Sequence, residues 1–232
     1  MDGGVDTVLR IGLLYPDLLG TYGDGGNARI LAHRARARGI EVEVLETRVG
    51  EPLVEADLYL LGGGEDGPQR LASDLLMKND FAGRVTNGAT VFAVCAGLQI
   101  LGNSFAVEGN DTYPGLGIVD AVSGRGTSRS VGDMAVKVGD HVLVGFENHG
   151  GVTTLGVTVA PLGAMLRGRG NDGAVDGYRA GRVWATYAHG PALALNPWLA
   201  DELVASATGL ELNPFASVAD ELHRERLASL GL

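Results

Sequence analysis

The chain has 232 residues, 45% apolar and 20% charged, enough for one large domain or two small ones around a proper core. Its net charge of −10 argues against nucleic acid as a partner, and its single cysteine excludes a disulfide within the chain and fits a reducing compartment. Residues 1–10 carry no apolar signal-peptide core and no stretch approaches the roughly 20 apolar residues that span a bilayer, so a cytoplasmic protein without a membrane span is expected.

Val8 to Leu14 is a short apolar run with β character. Thr21-Tyr22-Gly23-Asp24-Gly25-Gly26-Asn27 is a turn that enters a helix, which Asn27 or Asp24 can cap. That helix is expected to run to about Arg38 and stop at Gly39, with Arg34, Arg36 and Arg38 as a solvated helix end near the negative dipole pole. The glycines of the turn fit neither phosphate-loop spacing, so it reads as a structural or contact loop.

Glu41 to Glu46 alternates and reads as a second strand; Ala56 to Leu61 is continuous and reads as a third. The third ends in Gly62-Gly63-Gly64-Glu65-Asp66, which is either a flexible turn or a place where backbone comes close to a ligand. The ligand reading is favoured because α/β sheets bind at the carboxyl ends of their strands. Helices follow at Gln69–Lys78 and near Asn79–Asn87.

Ala89 to Leu101 reads as strand, sharp turn and helix, with Cys95 at the apex between Val94 and Ala96-Gly97. Small residues at 93, 96 and 97 let the backbone turn without a Cβ clash, as a nucleophile elbow requires. The following helix end would lower the thiol pKa and favour an anion. A lone cysteine is more often a buried structural residue; the flanking pattern favours a nucleophile.

Residues 8–103 thus read β-α-β-β-α-β-α with strands buried on both faces, which predicts a mostly parallel sheet flanked by helices. From Val107 to Ala188 short alternating runs at Gly117–Ala121, Met134–Val138, Val142–Phe146, Gly163–Leu166 and Arg182–Tyr187 predict added antiparallel strands, one or two of them joining the main sheet. Pro197–Thr208 and Pro214–Ser229 are helical, each with proline in its first turn. The expected organisation is one α/β domain over 1–232, with the C-terminal helices of about 196–230 packed on it.

A thiol nucleophile needs a base, usually histidine. His33 and His223 lie in helix patterns and His141 in the Gly139-Asp140 turn, which leaves His149 and His189, each after an apolar strand and before a glycine.

The Cys95 elbow, the Gly62–Gly64 loop upstream and the late Tyr187-Ala188-His189-Gly190 together resemble the class I, triad-type glutamine amidotransferases. Within that class the chain is similar to the cobyric-acid-synthase-like branch, and more closely to the GatD family, the glutaminase subunits of lipid II isoglutaminyl synthases. The stretches 20–27, Gly145-Phe146-Glu147-Asn148-His149 and Thr186–Pro191 carry that similarity. The resemblance implies Cys95 as nucleophile and His189 as base. It implies an oxyanion site from the N–H of Ala96 and of the Gly63–Gly64 loop, and Arg129, with Arg125 as the alternative, for the substrate α-carboxylate.

Most of the class carries Glu two residues after this histidine; here Pro191 stands there, as the narrower branch also lacks the Glu. A backbone carbonyl or a distant acid such as Glu147 would then orient His189. No ATP motif and no metal site are expected, so this chain would hold no cofactor, and ATP and Mg would belong to a partner. The resemblance implies L-glutamine as substrate and, as heterodimer partner, a MurT-like ATP-dependent ligase subunit that activates the D-glutamate α-carboxyl of lipid II at the inner membrane face. The rivals are the glutaminase of another synthetase, a DJ-1/peptidase-like cysteine protein and a subunit whose site has decayed.

Overall fold

The computed structural model describes residues 8–21, 23–108 and 111–232. The reading of residues 1–7 and the place of Tyr22 in its turn lie outside the described residues. In chain order the first half comprises β1 (Val8–Leu14), α1 (Gly26–Arg36), β2 (Glu41–Thr47), β3 (Leu58–Leu61), α2 (Asp66–Lys78), α3 (Phe81–Thr86), β4 (Thr90–Val94) and α4 (Ala96–Leu101). The second half adds β5 (Ser104–Ala106), β6 (Thr112–Pro114), β7 (Ala121–Val138), β8 (His141–Leu155), β9 (Gly163–Arg167), β10 (Val175–Asp176), β11 (Tyr178–Ala180) and β12 (Val183–Thr186). Helices α5 (Ala192–Leu195), α6 (Pro197–Thr208) and α7 (Val218–Leu230) end the chain.

The main sheet has the order β11-β12-β4-β3-β1-β2. Every neighbouring pair in it is parallel except β11 on β12. Strands β3, β4 and β12 are buried at every residue, as unbroken apolar runs demand, whereas the edge strand β2 alternates. Phe81 of α3 is buried edge-on against Tyr59 of β3, with ring centroids 5.2 Å apart.

The second sheet runs β10-β9-β7-β5-β6, with β8 paired on β7. It is antiparallel apart from β5 on β7. The long β7–β8 hairpin loses register between Arg125 and Ser130, so Arg129 sits in an irregular stretch rather than in the ladder. The mostly parallel sheet flanked by helices, with added antiparallel strands, is the expected architecture.

Three local expectations are corrected. Gly117–Ala121 is not a strand: the N–H groups of Leu116, Gly117, Ile118 and Val119 donate to the carbonyls of Ile100, Gly102 and Leu101, so this segment satisfies the end of α4 and β7 begins only at Ala121. The last helix starts at Val218 rather than Pro214, because Ser217 and Asp220 form a capping box there. Arg34 is not solvated. It is buried, with a two-pronged ion pair to Asp201 of α6 at 2.6 and 2.7 Å and a 3.1 Å bond to Ser217, and Arg38 reaches the same carboxylate at 2.8 Å. These contacts tie both C-terminal helices to α1.

Candidate active site

Cys95 sits between β4 and α4 with φ 51° and ψ −104°, outside the usual regions for a side-chain-bearing residue. Such a backbone costs about 1–3 kcal/mol and persists only when its surroundings impose it. Here buried β4 fixes one side, α4 the other, and the Cys95 N–H donates to the Thr186 carbonyl at 3.0 Å. The thiol is 7% exposed and its pKa is pushed up to about 12. Burial is the main cause; the carboxylates of Asp24 and Glu65 act the same way, against the Ala96 N–H and Arg129. The expectation of a lowered thiol pKa is therefore overturned. A six-residue helix offers too little positive potential to offset burial beside two acids.

Strand β12 lies parallel to β4 with Thr186 level with Val94, so the chain leaves both strands at the same edge. Cys95 follows one strand immediately and His189 follows the other three residues on. The turn between is held by Asp176, which accepts from the Thr186 hydroxyl at 2.5 Å and the Tyr187 N–H at 3.1 Å. His189 is buried, and its N–H donates to the Phe146 carbonyl of β8 at 2.8 Å.

Asp24 lies beside its ring, with Oδ2 3.9 Å from Nδ1. Asp24 and Asn27, read as helix caps, do not cap: Gly25 is the N-cap residue, without a side-chain bond. Asp24 accepts from the Gly63 N–H at 2.7 Å, and Asn27 Oδ1 accepts from the Leu193 N–H at 3.0 Å. Sequence reasoning missed Asp24 beside His189. The available signal was its place in the turn after β1, at the carboxyl edge that also carries Cys95.

Glu147, the acid considered for His189, is committed elsewhere. Its Oε2 is 3.3 Å from Nε2 of His149, whose Nδ1 is 3.0 Å from the Gly151 carbonyl. The N–H groups of Arg169 and Gly170 also donate to it. Burial pushes the Glu147 carboxyl up, but these donors outweigh it and hold it below its ordinary value. His149 stacks on Tyr187, ring centroids 3.9 Å apart.

The cleft over Cys95 is lined by Gly64, Glu65, Arg125, Arg129 and His149 among others. Arg129 donates through Nε to Asn148 Oδ1 at 2.6 Å, and Arg125 pairs with Asp66 at 2.5 Å. Beneath it a buried chain of hydrogen bonds runs from Gln69 through Gln99, Tyr187 and Thr153 to Ser123, in steps of 2.9, 3.0, 2.7 and 2.8 Å. The glycine loop is shaped by a neighbouring loop. A Cβ on Gly62 would stand 1.9 Å from the Leu19 carbonyl oxygen, so the loop after β3 packs directly on the loop after β1. Among the described residues no group of three His, Cys, Asp or Glu could hold a metal.

A 215-residue stretch is 33% identical to the lipid II isoglutaminyl synthase (glutamine-hydrolyzing) subunit GatD of Streptococcus pneumoniae, covering 89% of this chain and 83% of that one. The same subunit of Staphylococcus aureus is 33% identical over 86% of this chain and 84% of its own. A crystal structure of a glutamine amidotransferase superposes with a TM-score of 0.60 at 25% identity, covering 86% of this chain and 99% of that one. The CobB/CobQ-like glutamine amidotransferase domain matches residues 10–197, and the chain belongs to that family.

Proposed function

We propose that this chain is the glutaminase subunit of a lipid II amidating enzyme, hydrolysing L-glutamine through Cys95 and passing ammonia to an ATP-dependent, MurT-type ligase subunit. The observation that carries the chemistry is the pair of neighbouring strand ends, one bearing Cys95, which lines a cleft together with Arg125 and Arg129, and the other leading to His189. The two GatD relatives, similar over most of both chains, support the acceptor.

The buried thiol is protonated at rest, so His189 must take its proton as Sγ attacks the side-chain carbonyl of glutamine. The oxyanion then rests on the N–H groups of Ala96 and Gly64. The Gly63 N–H, the other donor on this loop, is engaged by Asp24. Collapse breaks the C–N bond; the proton on His189 goes to the leaving nitrogen, and ammonia departs. A thioester remains on Cys95. His189 next takes a proton from water, whose oxygen attacks the thioester, and glutamate leaves as Sγ regains the proton. Arg129, aimed by Asn148, holds the α-carboxylate.

The ligase half needs ATP and Mg, which belong to the partner, and the acceptor is membrane-bound, so the complex works at the inner membrane face. Among the described residues no helix is long and apolar enough to cross a membrane. The test is incubation with glutamine, Mg-ATP and lipid II, with and without the candidate ligase subunit. A one-unit mass decrease in lipid II that needs both subunits and Cys95 supports the reading; amidation by this chain alone refutes it.

A further inference from the structure

We propose that Glu65 receives the α-ammonium of the substrate, so that the cleft reads both charges of a free amino acid, with the acid on one wall and Arg129 on the other. The inference rests on the reading of the chain as a glutaminase that attacks through Cys95 and holds the α-carboxylate on Arg129.

The two walls come from different sheets. Glu65 follows the glycine loop that leaves β3. That loop is tied to the elbow, because the Gly97 N–H donates to the Gly62 carbonyl at 3.1 Å. It also packs on the loop after β1: a Cβ on Gly64 would stand 2.8 Å from the Leu18 carbonyl oxygen. Glu65 is thus held at a set place relative to Cys95. It is the N-cap residue of α2, with φ −87° and ψ 163°, yet its side chain does not cap that helix. Arg129 belongs to the second sheet, in the irregular stretch of the β7–β8 hairpin, and is steadied by Asn148 at 2.6 Å. Glu65 and Arg129 line the same cleft as Cys95. Both charges reach the thiol: burial does most to raise its pKa, Glu65 adds to the rise and Arg129 opposes it.

L-Glutamine carries its ammonium and its carboxylate on one carbon, a short side chain away from the carbonyl that Sγ attacks. With the carbonyl at Cys95 and the carboxylate at Arg129, the ammonium lies inside the same cleft. A cation drawn out of water there needs an anion or several acceptors. Of the acids near the site, Asp24 and Glu147 are 3% and 4% exposed and are held by backbone N–H groups of Gly63 and of Arg169 and Gly170. Asp66 pairs with Arg125 at 2.5 Å. Glu65 is exposed to solvent on the cleft lining, where an incoming cation meets it. An acid in this place works against the attack itself, since it favours the protonated sulfur and repels a developing oxyanion. A cation brought by the substrate accounts for it.

The test compares wild type, Glu65→Gln and Glu65→Asp in the full chain. Ammonia release from L-glutamine gives KM. Competition by glutaramate, which is glutamine without its α-amino group, gives Ki. The ratio of the glutaramate Ki to the L-glutamine KM reports what the ammonium contributes to binding. Glu65→Gln keeps the size of the side chain and removes its charge. The ratio is expected to lie well above unity in wild type and to fall about tenfold or more in Glu65→Gln, with a smaller change in kcat and with Glu65→Asp in between. An unchanged ratio in Glu65→Gln overturns the proposal, including the case in which both constants rise together, which marks a residue that only shapes the loop. Where glutaramate is too weak to compete, KM decides: it must rise about tenfold in Glu65→Gln and recover in part in Glu65→Asp, and any other pattern counts against the proposal. Cys95→Ser runs alongside: if it keeps wild-type turnover, the underlying reading falls, whereas an inactive Cys95→Ser beside an unchanged ratio sinks this inference alone.

Discussion

Glu147 and His149 form a buried pair, Oε2 to Nε2 3.3 Å, two residues apart on one face of β8. The other ring nitrogen of His149 faces the Gly151 carbonyl, so both ring nitrogens are engaged within β8. His149 thus has no ring nitrogen turned to the thiol, although it lines the same cleft as Cys95. His189 has a different environment, with its backbone anchored on Phe146 and its ring near Asp24.

The two histidines should therefore separate in kinetics. His189→Ala is expected to lower kcat for glutamine hydrolysis by about 10²–10⁴-fold, the usual cost of a lost general base. His149→Ala should cost much less in kcat, with lower thermal stability because Glu147 is left buried without its partner. Ammonia-release assays and melting curves on both variants check this; the reverse ranking would hand the base role to His149.

The raised thiol pKa makes a second expectation. Without substrate, alkylation of Cys95 by iodoacetamide should be slow at pH 7 and climb about tenfold per pH unit, without a plateau below pH 9, because the thiolate fraction keeps rising toward a pKa of about 12. Peptide mass mapping of the single cysteine gives the rate. A plateau near neutrality would mean that the thiol is ionised at rest.

The elbow and its parallel sheet were legible because their signals are local. Val91–Val94 is unbroken apolar, Cys95 is the lone cysteine, and Ala96-Gly97 are small. Val8–Leu14 and Pro197–Thr208 emerge with the predicted bounds for the same reason. The contacts of Asp24 were not legible, because a side chain in a glycine-rich turn before a helix has caps as its default fate; its bond with Gly63 joins residues 39 apart in sequence. Arg34 misled likewise: basic residues at a helix end are ordinarily solvated, and only the fold brings Asp201 to it. The thiol pKa was misjudged because helix polarity is visible in sequence whereas burial and distant carboxylates are not.

Arg129 should act on binding more than on turnover. Its guanidinium is exposed at the cleft and steadied by Asn148 at 2.6 Å. A clamp on the α-carboxylate holds ground and transition states alike, so Arg129→Ala is expected to raise KM about tenfold or more with a smaller change in kcat. Asn148→Ala should follow in the same direction with a smaller effect, since the guanidinium then loses its aim but not its charge. Glutamine saturation curves decide; an unchanged KM in Arg129→Ala removes it from the substrate site and leaves Arg125, which is already paired with Asp66.

Asp176 sets a pH signature on stability. It is fully buried, and desolvation raises its pKa from 3.8 to about 6, against the opposing hydrogen bonds from Thr186 and Tyr187 and the pull of His149, with Glu147 adding to the rise. A carboxyl whose folded pKa exceeds its unfolded value binds its proton more tightly in the native state. Its contribution thus favours the fold at low pH and is lost as pH rises from about 4 through about 6. Glu147 works in the opposite sense: its lowered folded pKa adds stability above its unfolded value, lost as pH falls through the folded one. Asp176→Asn removes the first effect and leaves the second in place. The amide can still accept from the Tyr187 N–H, and any cost of turning the Thr186 hydroxyl is the same at every pH. The stability of Asp176→Asn relative to wild type should therefore be more favourable at pH 7.5 than at pH 4.5, read from urea midpoints at both. A difference that does not change with pH, or that changes in the opposite direction, would mean that Asp176 is ionised in the native state across this range.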